Sequence, residues 1–242
     1  MFRLELLKLK RRKLVYLLPL VLLALVLLEF AMGNQIYQGH RYGSVAGWYL
    51  ENGLFFFIYY FLLPFSCLIL TDLLTLERNA ASLQHLKLIP ISMTGLLKAK
   101  CKLTFFLVFI FASLFYVGML VLEALDGHFA LPFLAVLWWG LAYVTLCMVY
   151  VLLSTLILLG LGKIKKQMFF AGPVAFLLSF SALFLLTATL GQYYLINLPL
   201  LILKEGLSVP LFIYGIWLIC LVILMWMLSQ DKQVLSFLID KE

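Results

Sequence analysis

The sequence predicts an all-α integral membrane protein with six transmembrane helices, and three observations predict it. Of its 242 residues, 65% are hydrophobic and only 12% charged, whereas a soluble domain is about half apolar and a quarter charged. A water-filled surroundings cannot accept so much apolar surface, so the solvent is lipid. Six apolar runs also reach the ~20 residues that a helix needs to cross a hydrocarbon layer of about 30 Å. Finally, runs such as LLPLVLLALVLL at 17–28 are apolar throughout, where the strands of a membrane barrel would alternate.

In chain order, residues 1–13 place Phe2, Leu6 and Leu9 on one helical face, with Leu4 and Leu7 off it. This predicts a short amphipathic helix on the inner membrane surface, anchored by Arg3, Lys8, Lys10, Arg11, Arg12 and Lys13. The apolar stretch that follows is too long for a signal peptide and has no small-residue cleavage site after it. It reads as a retained first span, Leu14–Met32. Segment 33–53 is rich in Gly, Asn and Tyr, which suits an outer loop with aromatic anchors. The next spans are Leu54–Leu76, Leu103–Leu125, Pro132–Gly160 and Phe169–Leu190. Segment 191–208 then holds YYLINLPLLIL, broken by Pro199. It is too short to span and too apolar for an ordinary loop, so a re-entrant hairpin is expected. Val209–Ser229 is the sixth span. No repeat or linker divides the chain, which reads as one domain, 1–242.

The charges set the orientation. Sixteen Lys and Arg residues fall in segments 1–13, 77–102, 161–168 and the tail, against two, Arg41 and Lys204, on the other side. By the positive-inside rule the sixteen face the cytoplasm, and both termini with them. The net charge of +7 therefore follows from topology and attraction to anionic lipid. Nucleic acid is not needed to explain it. The four cysteines lie in or beside apolar runs without metal-ligand spacing, as small apolar side chains do.

The segment ERNAASLQHLKLIPISMTGLLKAK at 77–100 is too long and too patterned for a simple turn. On a helical projection Leu76, Ala80, Leu83 and Leu86 share one side, while Glu77, Arg78, Gln84 and His85 lie towards the other. Lys87 follows. Pro90 ends this element, and Ser92 is placed to cap the next helix. Lys98, Lys100 and Lys102 then stand near the inner headgroups as anchors.

These features resemble the ABC type-2 permeases: a basic amphipathic start, Glu77–Arg78 after the second span, the Pro90–Ile91–Ser92 corner, and Lys100 at re-entry into the membrane. The likeness spans the chain and is nearest to the small permeases of lantibiotic-immunity and peptide-export systems. Many members carry a Gly-Thr pair just past the acidic residue, where this chain reads NAAS. The resemblance implies that Glu77 opens a coupling helix seated in a cytoplasmic ATP-binding subunit. Glu77, Arg78, Leu83, Gln84, His85, Lys87, Pro90 and Ser92 would form that contact. It also implies a second copy or a homologous permease as partner, with ATP and Mg held by the ATP-binding subunit and no cofactor on this chain. A multi-pass protein of a bacterial plasma membrane is expected.

Enzyme motifs are missing. LGLGKIKK at 159–166 has the wrong spacing for a phosphate-binding loop, and neither HExxH nor G-x-S-x-G occurs. His40, His85 and His128 fall on both sides of the membrane. Charges within spans are costly and point to function by default. Glu29 and Glu123 lie near the outer ends of their spans and Asp72 near an inner end. With Glu51 and Asp126, the first two could give an acidic outer surface for a cationic substrate, or they could simply reach the interface. The sequence thus predicts the permease subunit of an ABC exporter for an amphipathic substrate such as an antimicrobial peptide, a lipid or a drug. The alternative is an ATP-independent scaffold or immunity protein that binds its target directly.

Overall fold

The computed structural model describes residues 13–79, 93–127, 132–161, 167–185, 193–198, 201 and 209–230. Its helices are α1 (Lys13–Gly33), α2 (Trp48–Phe56), α3 (Leu63–Asn79), α4 (Met93–Leu125), α5 (Phe133–Gly160), α6 (Gln167–Leu185) and α7 (Val209–Gln230). A π-helical segment, Phe57–Leu62, joins α2 to α3 so that the two form one rod. Among the described residues, four stretches are long and apolar enough to cross a membrane, at 16–33, 48–74, 98–125 and 133–160, and Phe169–Leu185 is a shorter apolar helix.

Some expectations change in detail. The second span begins at Trp48 rather than Leu54, taking six residues from the expected loop. Leu76–Asn79 continue α3 rather than opening a separate helix, and α4 begins at Met93, so Lys98 to Lys102 lie inside it. A β-ribbon also interrupts the all-α pattern: Ile36–Tyr37 pairs antiparallel with His40–Arg41. Its turn residues Gln38 and Gly39 both have positive φ, 51° and 82°, the combination that matches the twist of a two-residue hairpin. The expected N-terminal helix with Arg3, Lys8, Lys10, Arg11 and Arg12 lies outside the described residues. So do Leu83, Gln84, His85, Lys87, Pro90 and Ser92, most of the 191–208 segment, and the tail.

The rod is the centre of the bundle. Two thirds (67%) of the 48–74 stretch is buried against the rest of the chain, compared with 11% of 16–33. The rod packs against α4, α5 and α6, while among the described residues α1 packs mainly on α4, the α2 end of the rod and the 42–44 turn. In lipid no hydrophobic drive separates helix from tail, so close packing must hold helices together. Here aromatic rings supply it. Phe57 stacks on Phe61, Phe111, Phe115 and Tyr143 with centroids 5.0–6.3 Å apart. Phe65 continues the stack to Phe61 and Phe111 at 4.7 and 4.6 Å.

At the ribbon end, the Tyr49 side chain is wedged between two glycines. A Cβ on Gly33 would sit 2.3 Å from its Oη, and one on Gly43 2.6 Å from it. Gly33 ends α1, so this contact sets how α1 meets the rod. Gly33→Val is expected to lower stability by about 1–3 kcal/mol through overpacking, read from detergent-resistant thermal unfolding. Unchanged stability would mean that the Tyr49 ring can move aside.

Candidate functional site

The end of the bundle that carries the 77–102 segment is built by α3 and α4. Glu77 and Arg78 lie in the last turn of α3. Lys98 and Lys102 are exposed on α4, as anchors would be, but Lys100 points inward and is 1% exposed. The expectation of a headgroup anchor is therefore corrected for Lys100, whose Nζ donates to the main-chain carbonyl of Leu73. The physical reason is periodicity: positions 98 and 102 share a helical face, while 100 lies some 200° round from 98. Beside this bond is a small second core, separate from the aromatic one. Leu70, Leu158 and Ala171 are buried in it, with Leu74, Cys101 and Leu161 packed around them. Four helices, α3 to α6, meet there.

Midway along the rod, the π segment departs from α-helical register. Pro64 follows it after Leu63 and removes one main-chain donor from this stretch, and such wide turns are often found at functional sites. Tyr59, fully buried in the segment, donates its hydroxyl to Asn197 Oδ1 at 2.8 Å. Asn197 Nδ2 donates in turn to the Ala182 carbonyl of α6 at 3.2 Å. One buried amide thus ties the rod, α6 and the 193–198 segment together. Trp217 of α7 adds a bond from its indole nitrogen to the Tyr193 carbonyl at 2.9 Å. The sequence reading missed Tyr59 and Asn197. Asn197 had a signal, as an amide in the apolar run YYLINLPLLIL; Tyr59, in FFFIYYF, had none.

At the ribbon end the expected acidic surface is not a surface. Glu29 and Glu123 are 0% and 1% exposed, so the reading of these two as open to substrate, or as reaching the interface, is corrected. Glu123 accepts the main-chain N–H groups of Gly47 and Tyr49 at 3.1 and 2.8 Å. It therefore caps the N-terminus of α2 from another helix, supplying the acceptor that a helix start lacks. Asp126 takes both Arg41 Nη2, at 2.7 and 2.9 Å, and the Tyr49 hydroxyl at 2.8 Å. The hydrogen bond to Asp126 is the main cause holding the Arg41 guanidinium above its ordinary pKa. Glu29 accepts from Asn52 Nδ2 at 2.8 Å, and its Oε1 is buried with no hydrogen-bond partner among the described residues. Glu51 is half-buried. Glu123 and Asp126 are drawn in because they serve the α2 backbone, Arg41 and Tyr49, and Glu29 because it meets Asn52.

Between α4 and α5 runs an open apolar groove of about 460 Å³, lined by residues that include Tyr116, Val117, Gly140, Leu141 and Tyr143. The Tyr116 hydroxyl crosses between the two helices to the Val136 carbonyl at 2.5 Å.

Compared with known proteins, the chain matched none of the curated proteins and none of the solved structures. Its residues 1–182 match the family described as ABC-2 family transporter protein, which is three quarters of its length. Together with the apolar helices, that match makes it a multi-pass membrane protein and a membrane transport subunit of a family that typically works with an ATP-binding partner. The chain belongs to the ABC-2 family of transporter proteins.

Proposed function

We propose that this chain is the permease subunit of an ABC exporter, driven by a separate cytoplasmic ATP-binding subunit that holds ATP and Mg. It crosses the membrane six times with both termini in the cytoplasm, pairs with a second copy or a related permease, and moves an amphipathic substrate such as an antimicrobial peptide, a lipid or a drug. The host membrane is a bacterial plasma membrane. The observation that carries the reading is the family match over 1–182, which includes the 77–92 segment assigned here to the ATP-binding subunit. Sixteen of eighteen basic residues on the side of that segment support its cytoplasmic placement. Closure of the ATP-binding subunits would press on the segment and repack the bundle between two arrangements.

The test is affinity capture of the tagged chain from its native membrane in mild detergent, with ATP hydrolysis assayed on the eluate. Wild type is expected to bring an ATP-hydrolysing subunit with it. Glu77→Lys combined with Arg78→Glu should cut the captured activity at least tenfold while the permease still elutes folded. Wild-type permease that elutes folded without an ATPase would reject the exporter and leave an ATP-independent scaffold or immunity protein as the better reading.

A further inference from the structure

We propose that Lys100 is a positioning residue for energy coupling: it locks the basic ends of α3 and α4 into one body, so that a push on the segment between them reaches α5 and α6. This rests on the exporter reading above and adds the part that carries the push.

Three features support it. First, Lys100 bonds across 27 positions of sequence to the Leu73 carbonyl, so α3 and α4 are tied within two turns of Asn79 and Met93, the described residues that flank 80–92. In α-helical pairing that same carbonyl receives the N–H of Glu77, which places the tie at the foot of the turn assigned to the ATP-binding subunit. Second, Leu74 and Cys101, the chain neighbours of the two bonded residues, pack on the second core with Leu158 and Leu161 of the α5 end and Ala171 of α6. Displacement of the tied pair therefore has packed side chains to act on in two more helices. Third, an ammonium group that is 1% exposed costs free energy to bury, even when bonded. A methionine of similar length would fill the space without that cost, and such swaps of buried charge are often neutral or stabilising. Fixing the geometry of two helices is a role that a lysine bonded to a carbonyl can serve and a methionine cannot.

The experiment measures transmission without needing the transported substrate. Ile36 and Leu134 are 74% and 80% exposed at the ribbon end, remote from Lys100, and each is replaced by cysteine for spin labelling. The background carries Cys220→Ser, since Cys220 is the exposed native cysteine. The permease is placed in lipid nanodiscs with its captured ATP-binding subunit, and the label-to-label distance is recorded before and after ATP with vanadate. In wild type the distance is expected to shift by on the order of 5 Å, the scale of a one-turn slide. Lys100→Met should keep the bound ATPase and its hydrolysis within about twofold, yet reduce the shift at least threefold. Lys100→Arg should restore more than half of it. If the methionine variant does not accumulate, Lys100→Gln, whose shorter side chain stops short of the carbonyl, must show the same loss.

A neutral variant that shifts as wild type does overturns the proposal, as does one that loses the ATPase together with the shift, because that would be simple misassembly. Wild type with bound ATPase and no ATP-dependent shift overturns it too, since there would be nothing for Lys100 to transmit. Each of these leaves the exporter reading standing. Wild type that binds no ATPase removes both.

Discussion

Replacing Glu123 with alanine is expected to destabilise the protein by about 2–4 kcal/mol, because two charge-assisted hydrogen bonds at a helix start are lost at once. Glu123 and Asp126 lie at the C-terminal end of α4, where negative charge opposes that helix's own dipole. What they favour is the N-terminus of α2, whose Gly47 and Tyr49 N–H groups point at Glu123. Without the carboxylate the buried Tyr49 donor and the half-buried Gly47 donor lose their acceptor, and the first turn of the rod loses its cap. Glu123→Gln keeps an acceptor oxygen but no charge, so it should cost about half as much. Detergent unfolding in bicelles measures both, and Asp126→Ala gives a comparison for the half-exposed Arg41 pair, where the loss should be smaller. A cost below about 0.5 kcal/mol for Glu123→Ala would show that water or lipid headgroups satisfy the α2 start equally well.

The second large effect is expected at Phe57. It is fully buried, and its ring meets four others from the rod, α4 and α5. Phe57→Ala should cost about 3–5 kcal/mol, since the cavity cannot close against several stacked rings. Phe57→Leu should cost less, in the range of about 1–2 kcal/mol. Leu134→Ala, on the exposed face of α5, is the control and should stay within about 0.5 kcal/mol. The same bicelle titration applies, and equal costs at Phe57 and Leu134 would remove the aromatic stack from the list of what holds the bundle together.

Both effects concern the ribbon end and the upper core, where carboxylates, Arg41 and the Tyr49 wedge interlock. The opposite end is built differently, with a lysine tie and a small aliphatic core. The π segment lies between the two, held by the Tyr59–Asn197 bond.

The class was legible from the residues alone. Length of apolar runs and their lack of alternation settle helix over barrel, since unpaired backbone in lipid permits few solutions. They also located α5 and the end of α1 to within a residue or two. The start of α2 was not legible, because Trp48–Gly53 is no more apolar than a loop, and its cap comes from Glu123, 74 positions from Tyr49. The direction of Lys100 could be guessed only if α4 were known to begin at Met93. Otherwise it is one of three alternating lysines. For Glu29 and Glu123 the depth in the span was legible but the partners were not. Apolar periodicity reports which solvent a residue prefers and which helix carries it. Which buried oxygen meets which N–H depends on packing between distant segments, and only the tertiary structure decides that.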